Sequence, residues 1–215
     1  MRDEEFWRLI RRARLGDTLD ESPPDGTTES ERLVRQLHAM LERLPDSTLV
    51  SFHRTLRRIH RRAERWALWT AFGIALSGAD YDGFRAGICW LILRGRETYE
   101  RVVGEPDELA GLPCTPGELD DAEELGSLVL DLLDPSGRVP RENEVAARER
   151  LYEKLGFVGE HARPRGDWVP ENLAVFLARF PRLTRQYLPE GGEPWTTMVR
   201  SEWCPGMADQ AGAPS

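Results

Sequence analysis

The stretch Leu49–Thr70, "LVSFHRTLRRIHRRAERWALWT", decides the fold. Leu49, Phe52, Leu56, Ile59, Ala63, Trp66 and Thr70 recur at alternating steps of three and four residues. All but Thr70 are apolar. That period places them along one side of an α-helix, and such a side is buried against other helices. Asp46, just after Pro45, is expected to cap the helix. The pattern runs on through "WALWTAFGIAL", with a kink or break expected between about Arg65 and Gly73.

The other side of the same helix is cationic. The run His53–Arg65 holds Arg54, Arg57, Arg58, Arg61, Arg62 and Arg65 against a single acid, Glu64. At about 100° per residue, Arg54, Arg58, Arg61 and Arg65 form a ridge facing away from the Phe52–Ile59–Trp66 stripe. A solvated face is the favoured reading, since exposed charges contribute little to stability. The second is internal pairing with the purely acidic stretch Glu118–Asp134, and the third is a site for phosphate, nucleic acid or an acidic partner.

The next segment, "GADYDGFRAGICWLILRGRETYE" (Gly78–Glu100), turns from polar to almost wholly apolar. Phe84, Ile88, Leu91 and Ile92 line one face, and Cys89, Trp90 and Leu93 fill the others, so this helix is expected in the core. Asp80 and Asp82 resemble the start of a calcium loop. Its fifth and twelfth positions, however, hold Phe84 and Leu91, which carry no oxygen ligand. One of the two aspartates is therefore expected to cap the helix, where a carboxylate meets free N–H groups and the positive end of the dipole. Gly95 is placed to end it.

Further out, "DEEFWRLIRRAR" predicts a short amphipathic helix that Asp3 can cap, and Glu29–Arg43 predicts another, stopped by Pro45. "RETYERVV" and Pro106 open two more elements. "ELDDAEELGSLVLDLLD" carries a leucine stripe, "EVAARERLYEKLG" predicts a helix ending at Gly156, and "ENLAVFLARF" predicts a short one. Residues 1–188 read as one helical domain, with residues 113–140 as an insertion and 189–215 as a flexible tail. The fold class is all-α, a single multi-helix domain of about six to nine helices.

Composition narrows the function classes. Charged residues make up 31% of 215 residues, and the net charge of −8 argues against general nucleic-acid binding. The longest apolar run is too short to cross a bilayer, and the N-terminus lacks the basic-then-apolar order of a signal peptide. With an odd number of cysteines (Cys89, Cys114 and Cys204) and no C-x-x-C, the chain reads as cytoplasmic. Cys89 reads as a small core residue. His53 and His60 are seven apart, a poor metal spacing, and no H-E-x-x-H, G-x-S-x-G, G-x-G-x-x-G or P-loop is present. Lys154 is the lone lysine. No catalytic residue, metal or cofactor is assigned.

Seven tryptophans are many for this length. A Trp-rich core is the first reading. The alternative is a ligand groove near Trp7, Trp69, Asp82 and Trp90. "FWRLI", "RWALWTAFGIALSGADYDGFRAGICWLILRGRETYERVV" and "EPDELAGL" together resemble a bacterial family of uncharacterised proteins known as domain of unknown function 4240. The family pattern departs here at the F-R pair, because "RAG" follows Phe84 at a shorter interval. "DWVPENLAVFLARFPRLTRQY" is similar to the family's closing segment, and the insertion falls between the two. The resemblance implies a helical fold and no activity. Three function classes follow in order: a non-enzymatic module for a protein partner, immunity-like or regulatory; an enzyme or ligand binder using the Trp groove; and a nucleic-acid factor using the arginine ridge.

Overall fold

The computed structural model describes residues 1–16, 26–76, 80–134, 136, 141–156, 164–166 and 178–187. The helix expected over "ENLAVFLARF" and the tail expected over 189–215 lie almost wholly or wholly outside them. Every regular element among the described residues is helical: α1 (Asp3–Leu15), α2 (Glu29–Leu41), α3 (Asp46–Ala63), α4 (Trp66–Ala75), α5 (Tyr81–Leu93), α6 (Arg96–Gly104), a 3₁₀ helix (Pro106–Gly111), α7 (Pro116–Leu133), α8 (Arg141–Leu155) and α9 (Pro181–Tyr187). The all-α reading holds.

Helix α5 is the hub. It packs most extensively on α7 and also touches α1, α2, α3, α4 and α6. Phe84, Ile88, Trp90, Leu91 and Ile92 are all 0% exposed, as a helix apolar on nearly every side requires. Gly87 lets α4 come close: a Cβ there would meet the Phe72 ring at 2.7 Å, and Phe72 is itself fully buried. Asp80 caps α5, its Oδ1 accepting from the Gly83 N–H at 2.8 Å, while Asp82 stands exposed in the first turn. Asp80→Ala should lower stability by about 1 kcal/mol in urea unfolding. No change, beside a loss on replacing Asp82, would show that the wrong aspartate has been assigned.

Other helix ends were read less well. Arg2, and not Asp3, is the N-cap residue of α1, and Glu5 reaches back to accept from the Arg2 N–H at 2.9 Å. Asp3 lies inside the first turn and is claimed by Arg58 and Arg62 of α3. Pro45 is the N-cap residue of α3, and Asp46 is its first helical residue. The expected break falls at Glu64–Arg65, with no proline or glycine to mark it. The backbone of Arg165 stitches it: the Arg165 N–H donates to Glu64 O at 2.9 Å, and Trp66 N–H donates to Arg165 O at 3.1 Å. Groups freed by the break are thereby satisfied.

The stretch expected as an insertion, 113–140, supplies α7 to the core. Leu119, Ala122, Leu125, Leu128, Val129 and Leu133 are buried against α5 and α2. The acidic residues of α7 serve α2 as well. The Glu118 carboxylate accepts from the N–H groups of Glu29 and Ser30 (3.0 and 3.1 Å), and Asp121 accepts from the Thr28 hydroxyl at 2.6 Å. Asp107, only 5% exposed, does the same for α9, accepting from the Arg182 and Leu183 N–H groups at 2.9–3.1 Å. A carboxylate at a helix N-terminus satisfies free donors and meets the dipole.

Candidate functional site: a cationic cleft on helix α3

Helix α3 buries Leu49, Phe52, Leu56, Ile59 and Ala63 in the core, which fixes the direction of its arginines. Arg54, Arg58, Arg61 and Arg65 are all exposed. The first three join Arg57 and Arg62 on one wall of a cleft of about 590 Å³. The end of α8 forms the opposite wall through Glu153, Lys154, Leu155 and Gly156, and Arg165 closes one side. Gly156 has φ of 76°, which ends α8, and a Cβ there would lie 3.4 Å from Arg57 Nη1. Arg65 does not line the cleft. It lies past the end of α3 in extended backbone and donates from Nε to Arg62 O at 3.3 Å.

Three of the four ridge arginines thus line the cleft, and the rest of its lining lies outside the ridge as read from the sequence. Arg57 and Arg62 sit in the quoted run, yet Lys154 and Arg165 come from segments about a hundred residues away, with no local signal of where they fold. The cleft is held together partly through backbone. Arg54 donates to Lys154 O at 3.3 Å, and the Arg165 guanidinium donates to Arg61 O.

The acidic stretch of α7 does not cover the ridge. Glu118 and Asp121 are turned to α2, and Asp134 pairs with Arg148. Among the described residues, the ridge is met by the Asp3 carboxylate. Arg58 binds its Oδ1 and Arg62 its Oδ2, the latter at 3.0 Å. Hydrogen bonding to Arg58, helped by the Arg58 and Arg62 charges, holds the Asp3 carboxyl below its ordinary range against the opposing effect of burial.

At the floor lies a second ionic group. His60 Nδ1 is 3.1 Å from Glu64 Oε1, and both side chains are largely buried. Burial alone would strip the proton from His60, but Cys89 and Glu64 hold it, and its pKa rises to about 9. Burial likewise works to raise Glu64, and the His60, Arg61 and Arg85 charges override it. Arg57 is shifted down, first by burial and then by the charges of Arg61 and Arg85. Two turns earlier on α3, His53 is 2% exposed, and burial with the Arg57 charge lowers its pKa to about 4.

These histidines give stability a pH optimum. An unfolded histidine titrates near 6.5. His60 binds its proton more tightly when folded, so its contribution is full below about pH 6.5 and is lost as pH rises through 9. His53 binds its proton less tightly when folded, so its contribution is present above about 6.5 and lost as pH falls through 4. Each is worth on the order of 3 kcal/mol. Urea unfolding across this range should show that His60→Asn flattens the alkaline limb and His53→Leu the acid limb. Limbs unchanged by these substitutions would refute the assignment.

The four candidates for an aromatic groove are not gathered into one. Trp7 packs edge-on to Phe6 (5.2 Å) and against Tyr99 (5.3 Å). Trp69 stacks on Phe84 at 4.8 Å and on Trp66 at 5.4 Å. Trp90 is 0% exposed beneath the Arg94 guanidinium, and Asp82 points to solvent. The α3–α8 cleft and a smaller one beside α9 are lined by none of them. Aromatic area was spent on the core, where it stabilises most. Among the described residues, no group of three His, Cys, Asp or Glu side chains could hold a metal, and no helix is long and apolar enough to cross a membrane.

No curated protein and no solved structure matches the chain. A family model, described as "Protein of unknown function (DUF4240)", matches residues 1–133, from α1 through the whole of α7. That span is more than half of the sequence and contains the cationic face of α3, and the chain belongs to this family.

Proposed function

We propose that the chain is a non-enzymatic interaction module of the cytoplasm, and that the α3–α8 cleft takes an acidic segment of a protein partner. One observation carries this. On a chain of net charge −8, six arginines and one lysine line a single cleft with only two glutamates. Bringing like charges together is unfavourable unless an anion answers them. Arginine does not exchange its proton near neutral pH, so these walls bind charge and do not move protons. Asp3 is an intramolecular example of a carboxylate held by this face.

A protein partner is favoured over nucleic acid for two reasons. The excess charge is confined to one cleft, whereas the net-negative chain repels a long polyanion. Among the described residues, the large apolar side chains that stand exposed are Leu15, Val145 and Tyr152, and none lines the cleft to stack on bases. The free thiols of Cys89 and Cys114 fit a reducing compartment.

The reading is tested with a fluorescent oligoglutamate peptide. Binding should weaken as salt is raised and should fall at least about tenfold, or about 1.4 kcal/mol, in the Arg54→Glu/Arg61→Glu double variant. Tighter binding of a duplex or single-stranded oligonucleotide of equal charge would overturn the choice of partner. Peptide binding indifferent to the double substitution would overturn the site.

A further inference from the structure

We propose that Arg58 and Arg62 are the subsite of the cleft that grips a carboxylate of the partner segment, and that the chain's own Asp3 occupies this subsite until the partner displaces it. The proposal rests on the reading of the cleft as a site for an acidic protein segment.

The geometry is that of a carboxylate site already filled. Arg58 and Arg62 lie one turn apart on α3, and both line the cleft. Arg58 donates to Asp3 Oδ1, and Arg62 donates from Nη1 to Oδ2 at 3.0 Å. Both oxygens of one carboxylate are therefore held, each by its own guanidinium, through charge-assisted bonds. Asp3 is not among the residues that line the cleft. It belongs to the first turn of α1 and reaches the pair from the edge. A glutamate or aspartate of a segment lying in the cleft offers the same two acceptor oxygens to the same two donors.

The contact can also be exchanged at little cost. The Asp3, Arg58 and Arg62 side chains are 28%, 45% and 53% exposed, and ion pairs in such surroundings contribute little to stability. Exchange does not require α1 to move. Phe6 is fully buried with its ring 5.0 Å from that of Phe52, and the Thr55 hydroxyl donates to Met1 O at 3.0 Å, so the start of α1 stays on α3. Only the Asp3 side chain has to turn to solvent, and its charge remains at the helix N-terminus, where the dipole favours it. An intramolecular carboxylate competes at high effective concentration. A lone carboxylate therefore loses to Asp3, whereas a segment that also engages Arg54 or Lys154 on the cleft walls overcomes it. Asp3 thus selects for segments that carry several acids.

The test measures anisotropy of a fluorescent oligoglutamate peptide on the intact chain. Asp3→Asn should tighten binding about fivefold, the factor that matches two exposed ion pairs of ordinary strength. Glu4→Gln removes the same charge one residue on, from a side chain that pairs with Arg96 of α6, and should change binding less than about twofold. In an Arg58→Gln/Arg62→Gln chain, Asp3→Asn should no longer tighten binding, because there is nothing left to release. Circular dichroism confirms that each variant is folded. An Asp3→Asn chain that binds no better than wild type, while Arg54→Glu/Arg61→Glu abolishes binding, would overturn the displacement and leave the acidic-segment reading intact. An equal gain from Glu4→Gln, or a gain that survives loss of both arginines, would refute the proposal as an effect of net charge alone. No binding by any of these chains would overturn both.

Discussion

Arg94→Ala is expected to destabilise the fold by about 3–5 kcal/mol, the usual cost of breaking a buried ionic contact from one side. Arg94 is the residue where α2, α5 and α7 meet. Its side chain is only 12% exposed, it pairs with Glu29 and with Glu118 (3.0 Å), and its guanidinium lies 4.9 Å from the Trp90 ring centroid. Glu118 is 16% exposed, so alanine would leave a largely buried carboxylate without its charge partner. The Ser30 hydroxyl at 2.5 Å and two backbone N–H groups would still hold it, which sets the upper bound. Burial raises the Glu118 pKa, and these bonds together with Arg94 bring it below the ordinary value. Arg94→Lys keeps the charge but cannot reach both carboxylates as a fork, and should fall between wild type and alanine. Urea unfolding followed by tryptophan fluorescence measures the loss. A cost below about 1 kcal/mol would mean that the pair contributes no more than an exposed one.

Leu91→Ala should cost about 2–5 kcal/mol. Leu91 is 0% exposed, inside the helix that every early element packs around. The cavity term dominates here, because the buried leucines of α7, the helix on which α5 packs most extensively, are anchored in their own helix and cannot collapse far. Leu91→Met preserves volume and should cost less than about 1.5 kcal/mol. If alanine and methionine cost the same, α5 is not the centre of the core.

These two residues mark what was legible in the sequence. Leu91 belongs to a stripe complete within one turn-by-turn pattern, and burial follows from the pattern alone. The same holds for α3, for the Asp80 cap, and for Gly95, whose φ of 92° few other residues adopt. Arg94 has no such signal. Its partners Glu29 and Glu118 lie 65 and 24 residues away, and only the tertiary fold brings them together.

Misreadings have the same origin. Asp3 fits a cap by position, but two arginines more than fifty residues on compete for it more strongly than a free N–H does. The leucine stripe of α7 was visible. Its role in the core was not, because nothing local says which surface receives it. Arg61 and Arg54 were visible as a ridge, while the facing wall at Lys154 and the strap at Arg165 had to be seen in space.

The central proposal is that the α3–α8 cleft receives an acidic partner segment. Hydrogen exchange of the intact chain, with and without a saturating oligoglutamate peptide, tests it most directly. The account predicts protection gained on the exposed turns of α3 around Arg54–Arg62 and at the end of α8 around Glu153–Gly156, with α1 and α7 unchanged away from Asp3. Protection centred on α7, or on the exposed start of α5 at Asp82, with none on α3, would contradict it.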